Sequence, residues 1–208
     1  MKDTVKDLKE RRSIKKYQDR QIEEEDLQEI LRAGMNAPTG MGMQSPVMAV
    51  IQDKETISKL SKMNAKFLGN ESIDPFYGAP TVIVVLADKN RPTYVEDGSL
   101  VMGNLMNAAH ALGIGSCWIH RAKQEFESEE GRELLRQWGI EGDYAGIGHC
   151  ILGYQDGETP KAKPPEGTLH LQSLNIKQKR RFLTARFIGG IRKRLFCSII
   201  FLSRLRGR

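Results

Sequence analysis

The sequence predicts an α+β fold, and three observations carry that prediction. Residues 81–87, from Thr81 to Ala87, are apolar on both faces of an extended chain, as in a central strand of a sheet. Residues 97–112 combine Leu100, Val101, Met102, Leu105, Met106, Ala108 and Ala109 with so few polar positions that most of a helix there should be buried. Strand-like and helical segments follow one another without strict strand–helix–strand alternation, which argues against a doubly wound parallel sheet.

In chain order, Val5 and Leu8 stand three apart and predict a short amphipathic helix. Glu23, Glu24, Glu25 and Asp26 suit the first turn of a second helix, where carboxylates favour the dipole. Leu27, Ile30 and Leu31 give it one apolar face, and Gly34 is placed to close it. A turn-rich loop over 38–46 feeds a strand over 47–51, and the 81–87 strand follows. The 97–112 helix stops at Gly113, its apolar surface meant for a core or a subunit interface. Residues 116–120 and 144–154 read as further strands, with a helix between them ending near Leu134, Leu135 and Trp138.

A chain of 208 residues buries one substantial core, so one domain is the default. The formal charge of +6 suggests a nucleic-acid partner until its distribution is read. Positions 166–208 hold eleven Lys or Arg and one acid, leaving the first 165 residues near −4 and the remainder near +10. The basic balance therefore belongs to the tail, and no nucleic-acid partner is expected for the body. Cys117, Cys150 and Cys197 are odd in number and far apart, and the charged opening lacks a secretory pattern, so a reduced, cytoplasmic setting is expected. The longest low-polarity run in the tail, 195–202, is far short of the roughly 18 residues a membrane span needs.

Chemistry concentrates in two stretches. Arg11, Arg12, Ser13, Lys15 and Lys16 pack four cations and a hydroxyl into six residues, a set that can wrap a dianionic phosphate. A solvated helix face is the competing account of that run. The loop that follows carries Pro38, Thr39 and Gln44, whose amide can both donate and accept. Together they suggest a phosphorylated heterocycle as ligand. The four histidines show no metal spacing, Cys117 reads as a small buried residue, and no side chain stands out as an acid or base.

These stretches, over residues 5–165, resemble the FMN-dependent nitroreductase family. The family's Arg-x-Ser-x-Lys/Arg segment is matched by Arg11, Ser13 and Lys15, with Arg12 between, and its Ala-Pro-Ser/Thr loop ending in Gln by Pro38, Thr39 and Gln44. Many members carry Asn two residues before that Gln and Pro-Trp after it; Gly42 and Ser45-Pro46 stand here instead. The Leu112-Gly113-Ile114-Gly115 turn leads to Trp118, Ile119 and His120, which the resemblance places beside the flavin ring, although an ordinary helix stop and strand would read the same. Lys161 and Lys163 match a late basic pair that completes the phosphate site in relatives; a solvated basic loop is the alternative. Phe76 and Tyr77, in the turn cluster 74–80, could line the substrate side.

The resemblance implies a central mixed sheet flanked by helices in a homodimer, with two flavins at the subunit interface. It also implies FMN as cofactor, NADH or NADPH as hydride donor, and a nitroaromatic, quinone or similar acceptor in a ping-pong sequence. A non-catalytic FMN carrier or redox sensor, or a specialised relative such as a dehalogenase or flavin-fragmenting enzyme, stands as the alternative. The family-like domain is expected over 1–165 and an atypical basic tail over 166–208. In that tail Leu183, Phe187, Ile191, Leu195, Ile199 and Leu202 fall on one helical stripe, so either a membrane-surface helix or an out-of-frame ending accounts for it.

Overall fold

A computed structural model describes residues 3–162 and two short strands, Leu171–Gln172 and Ile199–Ile200. The chain divides into two compact units, Met1–Lys161 and Ala162–Arg208. In the second, the two short strands pair in parallel, so Ile199 lies in a strand where a helical stripe was expected. The other stripe residues, and Lys163, lie outside the described residues.

The first unit runs α1 (Asp3–Glu10), α2 (Glu24–Met35), β1 (Val47–Ile51), α3 (Lys54–Leu68), β2 (Thr81–Asp88), α4 (Tyr94–Ala111), β3 (Gly115–Ile119), α5 (Ala122–Glu127), α6 (Glu129–Gln137) and β4 (Tyr144–Gly153). Its sheet has the order β1-β2-β4-β3, with every neighbouring pair antiparallel. The mixture of strand senses that the resemblance implies reduces, in this unit, to one isolated parallel bridge between Ser13 and Ser116.

Strand period two sorts the core into layers. Val82, Val84 and Leu86 of β2 face one cluster with Leu60 of α3, Phe126 of α5 and Leu134 of α6. Ile83 and Val85 face the other, with Ile30 of α2 and Met102 and Leu105 of α4. β2 is thus an interior strand buried on both faces, as its apolar run implies.

Gly34 does not close α2. It is buried inside the helix, where a Cβ would stand 2.8 Å from Leu105 Cδ2 and 2.9 Å from Met48 Sδ; it allows α2 to lie close on α4. Asn36 is the C-cap, its N–H donating to the carbonyl of Arg32. Gly113, with φ +74°, takes the left-handed turn that ends α4 and starts β3. α3 has no counterpart in the sequence reading: Asp53 caps it by accepting from Thr56 N–H at 2.7 Å, and its buried face carries Ser61 and Asn64 among Ile57 and Leu60.

Candidate functional site

The basic segment leaves α1 and runs beside the β3 edge. Ile14 N–H donates to the Ser116 carbonyl at 3.0 Å, and Gln18 N–H to that of Tyr154 at 2.9 Å. Ile14 and Tyr17 turn inward, while Ser13, Lys15 and Lys16 are exposed. The Tyr17 hydroxyl donates to the Ile14 carbonyl at 2.7 Å, and burial raises its pKa far above the usual phenol range.

Where this segment meets the α4–β3 turn there is a cavity of about 190 Å³, lined in part by Arg11, Arg12, His110, Ser116, Gln155 and Thr159. Arg11 and Ser116 each hold a buried polar atom without a partner, Nη1 and Oγ respectively. Such orphaned groups cost roughly 1–3 kcal/mol each, more when charged. A guanidinium and a hydroxyl beside one cavity are the donor set an oxyanion such as phosphate requires.

The remaining expected site residues are distributed more widely. Arg12 folds back, its Nη1 donating to the carbonyls of Lys9 at 2.8 Å and Arg11 at 2.7 Å, so it caps the end of α1. Lys15 lies with Nζ 5.5 Å from the centre of the Tyr77 ring. Lys16 pairs with Asp156 at 2.6 Å, and Lys161 is exposed. Phe76 is fully buried against the His149 ring, with centroids 5.1 Å apart, so it is a core residue rather than a lining one.

The loop of Pro38, Thr39 and Gln44 is held elsewhere. Gly40 N–H donates to Asp97 Oδ1 at 2.8 Å, and Thr93 Oγ1 to Asp97 Oδ2 at 3.0 Å, which ties the loop to the first turn of α4. Gln44 N–H donates to Thr39 Oγ1 at 3.0 Å, and Gln44 takes a left-handed φ of +48° that leaves its side chain exposed. Pro38 is exposed and Thr39 half-buried. His110, by contrast, stands in the last turn of α4, about 20 Å along the axis from Asp97. One chain therefore places the loop and the Arg11 cavity at opposite ends of a helix.

β3 connects the cavity to a third feature. It carries Ser116 near its start and ends with Trp118, half-buried against the α4 side, and Ile119, whose side chain is buried in the opposite core cluster and leaves only main chain to offer a ligand. The His120 ring is exposed, while its carbonyl accepts from Asn64 Nδ2 at 2.7 Å. Beneath lie Glu125 and His149, both fully buried, with His149 Nε2 3.0 Å from Glu125 Oε2 and Asn64 Nδ2 on the other carboxylate oxygen.

Sequence reasoning passed over His110, Ser116, Thr159 and this buried group. Ser116 was detectable as a lone hydroxyl opening an apolar strand; Glu125 and His149 sit 24 positions apart on different elements with no local pattern to link them. Cys117 and Cys150 are buried free thiols, and burial pushes Cys150 up to about 12. Among the described residues no cluster could hold a metal, and no helix is long and apolar enough to cross a membrane.

Residues 8–154 match the Nitroreductase family model. A protein of Archaeoglobus fulgidus with the provisional name NADH dehydrogenase/NAD(P)H nitroreductase is 34% identical over 163 residues, covering 76% of this chain and 88% of its own. Among solved structures, a Bacteroides fragilis nitroreductase with bound FMN superposes with a TM-score of 0.75 at 26% identity, over 82% of this chain and 99% of that one. A Desulfitobacterium hafniense nitroreductase, also with bound FMN, gives 0.71 at 25% identity, over 79% and 95%.

Proposed function

The chain belongs to the nitroreductase family, and from that premise we propose that it is an FMN-dependent oxidoreductase using NADH or NADPH to reduce a nitroaromatic, quinone or similar acceptor. The observation that carries the reading is the pair of unpartnered donors, Arg11 Nη1 and Ser116 Oγ, in residues that line one cavity. They fit the terminal phosphate of FMN, with Ser13 beside them on the bridge to Ser116. Bound FMN would supply hydride storage at N5 between donor and acceptor.

The protein's part is to bind and orient. The end of β3, with Trp118, the Ile119 main chain and His120, would border the ring, and Lys15 with Tyr77 would close its flank. Donor and acceptor would use the same open side in turn, a ping-pong sequence that asks no side chain to act as acid or base. Lys161 and Lys163 are proposed to add charge at the phosphate end, and residues 1–165 to form the FMN-binding domain.

The site is completed by a second copy. Pro38, Thr39 and Gln44 stand about 20 Å along α4 from the Arg11 cavity, and two chains packed through α4 can bring the loop of one to the cavity of the other. Support comes from apolar surface left uncovered: α1 buries none of its residues, Val5 and Leu8 being exposed, and Val95 and Leu100 of α4 are exposed as well. A reduced cytoplasmic location accords with the free thiols of Cys117 and Cys150.

Comparative titration with FMN and riboflavin tests the phosphate assignment. FMN should bind at least about tenfold more tightly, the least expected of one charge-assisted hydrogen bond. Equal affinities would remove the phosphate from the Arg11 cavity.

A further inference from the structure

Arg121 follows His120 directly and takes a left-handed backbone, φ +80°, where a non-glycine residue is under strain. Its guanidinium is half-committed: Nε donates to Asn64 Oδ1 at 3.0 Å. Asn64 is fully buried and fully used, giving its two N–H groups to the His120 carbonyl and to Glu125, while Glu125 is held in turn by His149. Three side chains from three elements and the main-chain carbonyl of His120 thus hold one guanidinium in place.

The other described arginines are otherwise engaged. Arg20, Arg32, Arg91, Arg132 and Arg136 each pair with a carboxylate, Arg12 is spent on carbonyls, and Arg11 faces the proposed phosphate cavity. Among the described residues Arg121 has no carboxylate partner, and its Nη1 and Nη2 donate to none of them. A buried polar cluster is weak as a source of stability, since apolar side chains of the same volume serve as well or better. What this cluster does fix is an unspent Arg fork just past the end of β3, away from Ser116.

We infer that Arg121 is a ligand-recognition residue that reads an oxyanion, carboxylate or phosphate, carried by the small molecule entering at the ring end of the site, and that Asn64 is its positioning residue. The inference rests on the flavin-site reading above. Two sources share this chemistry: an acidic acceptor, or the 2′-phosphate that distinguishes NADPH from NADH.

The test is calorimetric titration of the FMN-loaded protein, wild type, Arg121→Gln and Arg121→Lys, with benzoate, benzamide, NADP⁺ and NAD⁺. For an acidic acceptor, benzoate should weaken about tenfold in Arg121→Gln while benzamide stays within about twofold, with partial recovery in Arg121→Lys. For the dinucleotide phosphate, NADP⁺ should weaken by that factor and NAD⁺ should not. A wild-type protein that favours neither anion, or a variant that shifts all four ligands alike, as the loss of a merely structural tie to Asn64 would, overturns the inference alone. A wild-type protein that takes up no FMN overturns the functional reading and this inference with it.

Discussion

Replacing Arg11 by Met should push flavin affinity and the stability of the flavin-free protein in opposite directions. Met keeps an unbranched stem, so packing along the side chain changes little. What is lost is a guanidinium nitrogen that is buried without a partner. With phosphate bound, that nitrogen makes a charge-assisted hydrogen bond worth roughly 1.5–3 kcal/mol, so its loss should weaken FMN binding about 10- to 150-fold. Without phosphate it carries an uncompensated burial cost of about 1–3 kcal/mol, and its removal should leave the apoprotein as stable or more so. At a urea slope of about 1–3 kcal/mol per molar, a gain of about 1 kcal/mol raises the midpoint by roughly 0.3–1 M. Ser116→Ala, which deletes the second orphan, should repeat the pattern on a smaller scale. Flavin fluorescence quenching gives the affinity and urea unfolding of flavin-free protein the stability. An Arg11→Met protein that binds FMN as wild type does, or whose apoprotein is clearly destabilised, would refute the assignment of the cavity to phosphate.

Three further outcomes are expected. Gly34→Ala forces a methyl group against Leu105 and Met48, and the overpacking, about 1–3 kcal/mol, should exceed the helix-propensity gain of about 1 kcal/mol; urea midpoints would show a net loss. Glu125→Ala strips His149 and Asn64 of their shared carboxylate in the core and should cost about 3–5 kcal/mol, read from the same midpoints. Burial pushes the Cys150 thiol in the folded protein up to about 12 from its ordinary value of 9.0. The folded protein therefore keeps a proton that the unfolded chain releases, and stability should fall as pH rises above about 9, by up to about 1.4 kcal/mol per pH unit until the folded thiol itself ionises. Urea midpoints at pH 8 and 10 should show a smaller drop in Cys150→Ala than in wild type, and identical drops would contradict the assignment.

The fold was readable where burial is continuous and apolar. β1, β2 and α4 announce themselves by runs of Val, Ile, Leu, Met and Ala, and β3 and β4 by shorter apolar stretches that include Cys and aromatic residues, because each faces at least one apolar layer. α3 escaped because its inward face holds Ser61 and Asn64, polar residues whose partners, Asp74, His120 and Glu125, come from distant parts of the chain. Gly34 was misread as a stop since a helix-end glycine and a close-packing glycine look alike until the neighbouring helix is in place. In the site, Arg11 stood out by its local charge density, whereas Arg12 was drawn back to the carbonyls at the end of α1, an interaction set by helix geometry. Ser116 and the Glu125–His149 pair depend on tertiary placement, which no spacing along the chain encodes.

The visible absorption spectrum of the purified protein, recorded before and after anaerobic addition of NADH and then NADPH, tests the central claim most directly. The account predicts a flavin spectrum that bleaches with at least one donor and returns on addition of a quinone or nitroaromatic. A flavin spectrum that neither donor bleaches would contradict the oxidoreductase reading and leave a protein that holds FMN without turning it over.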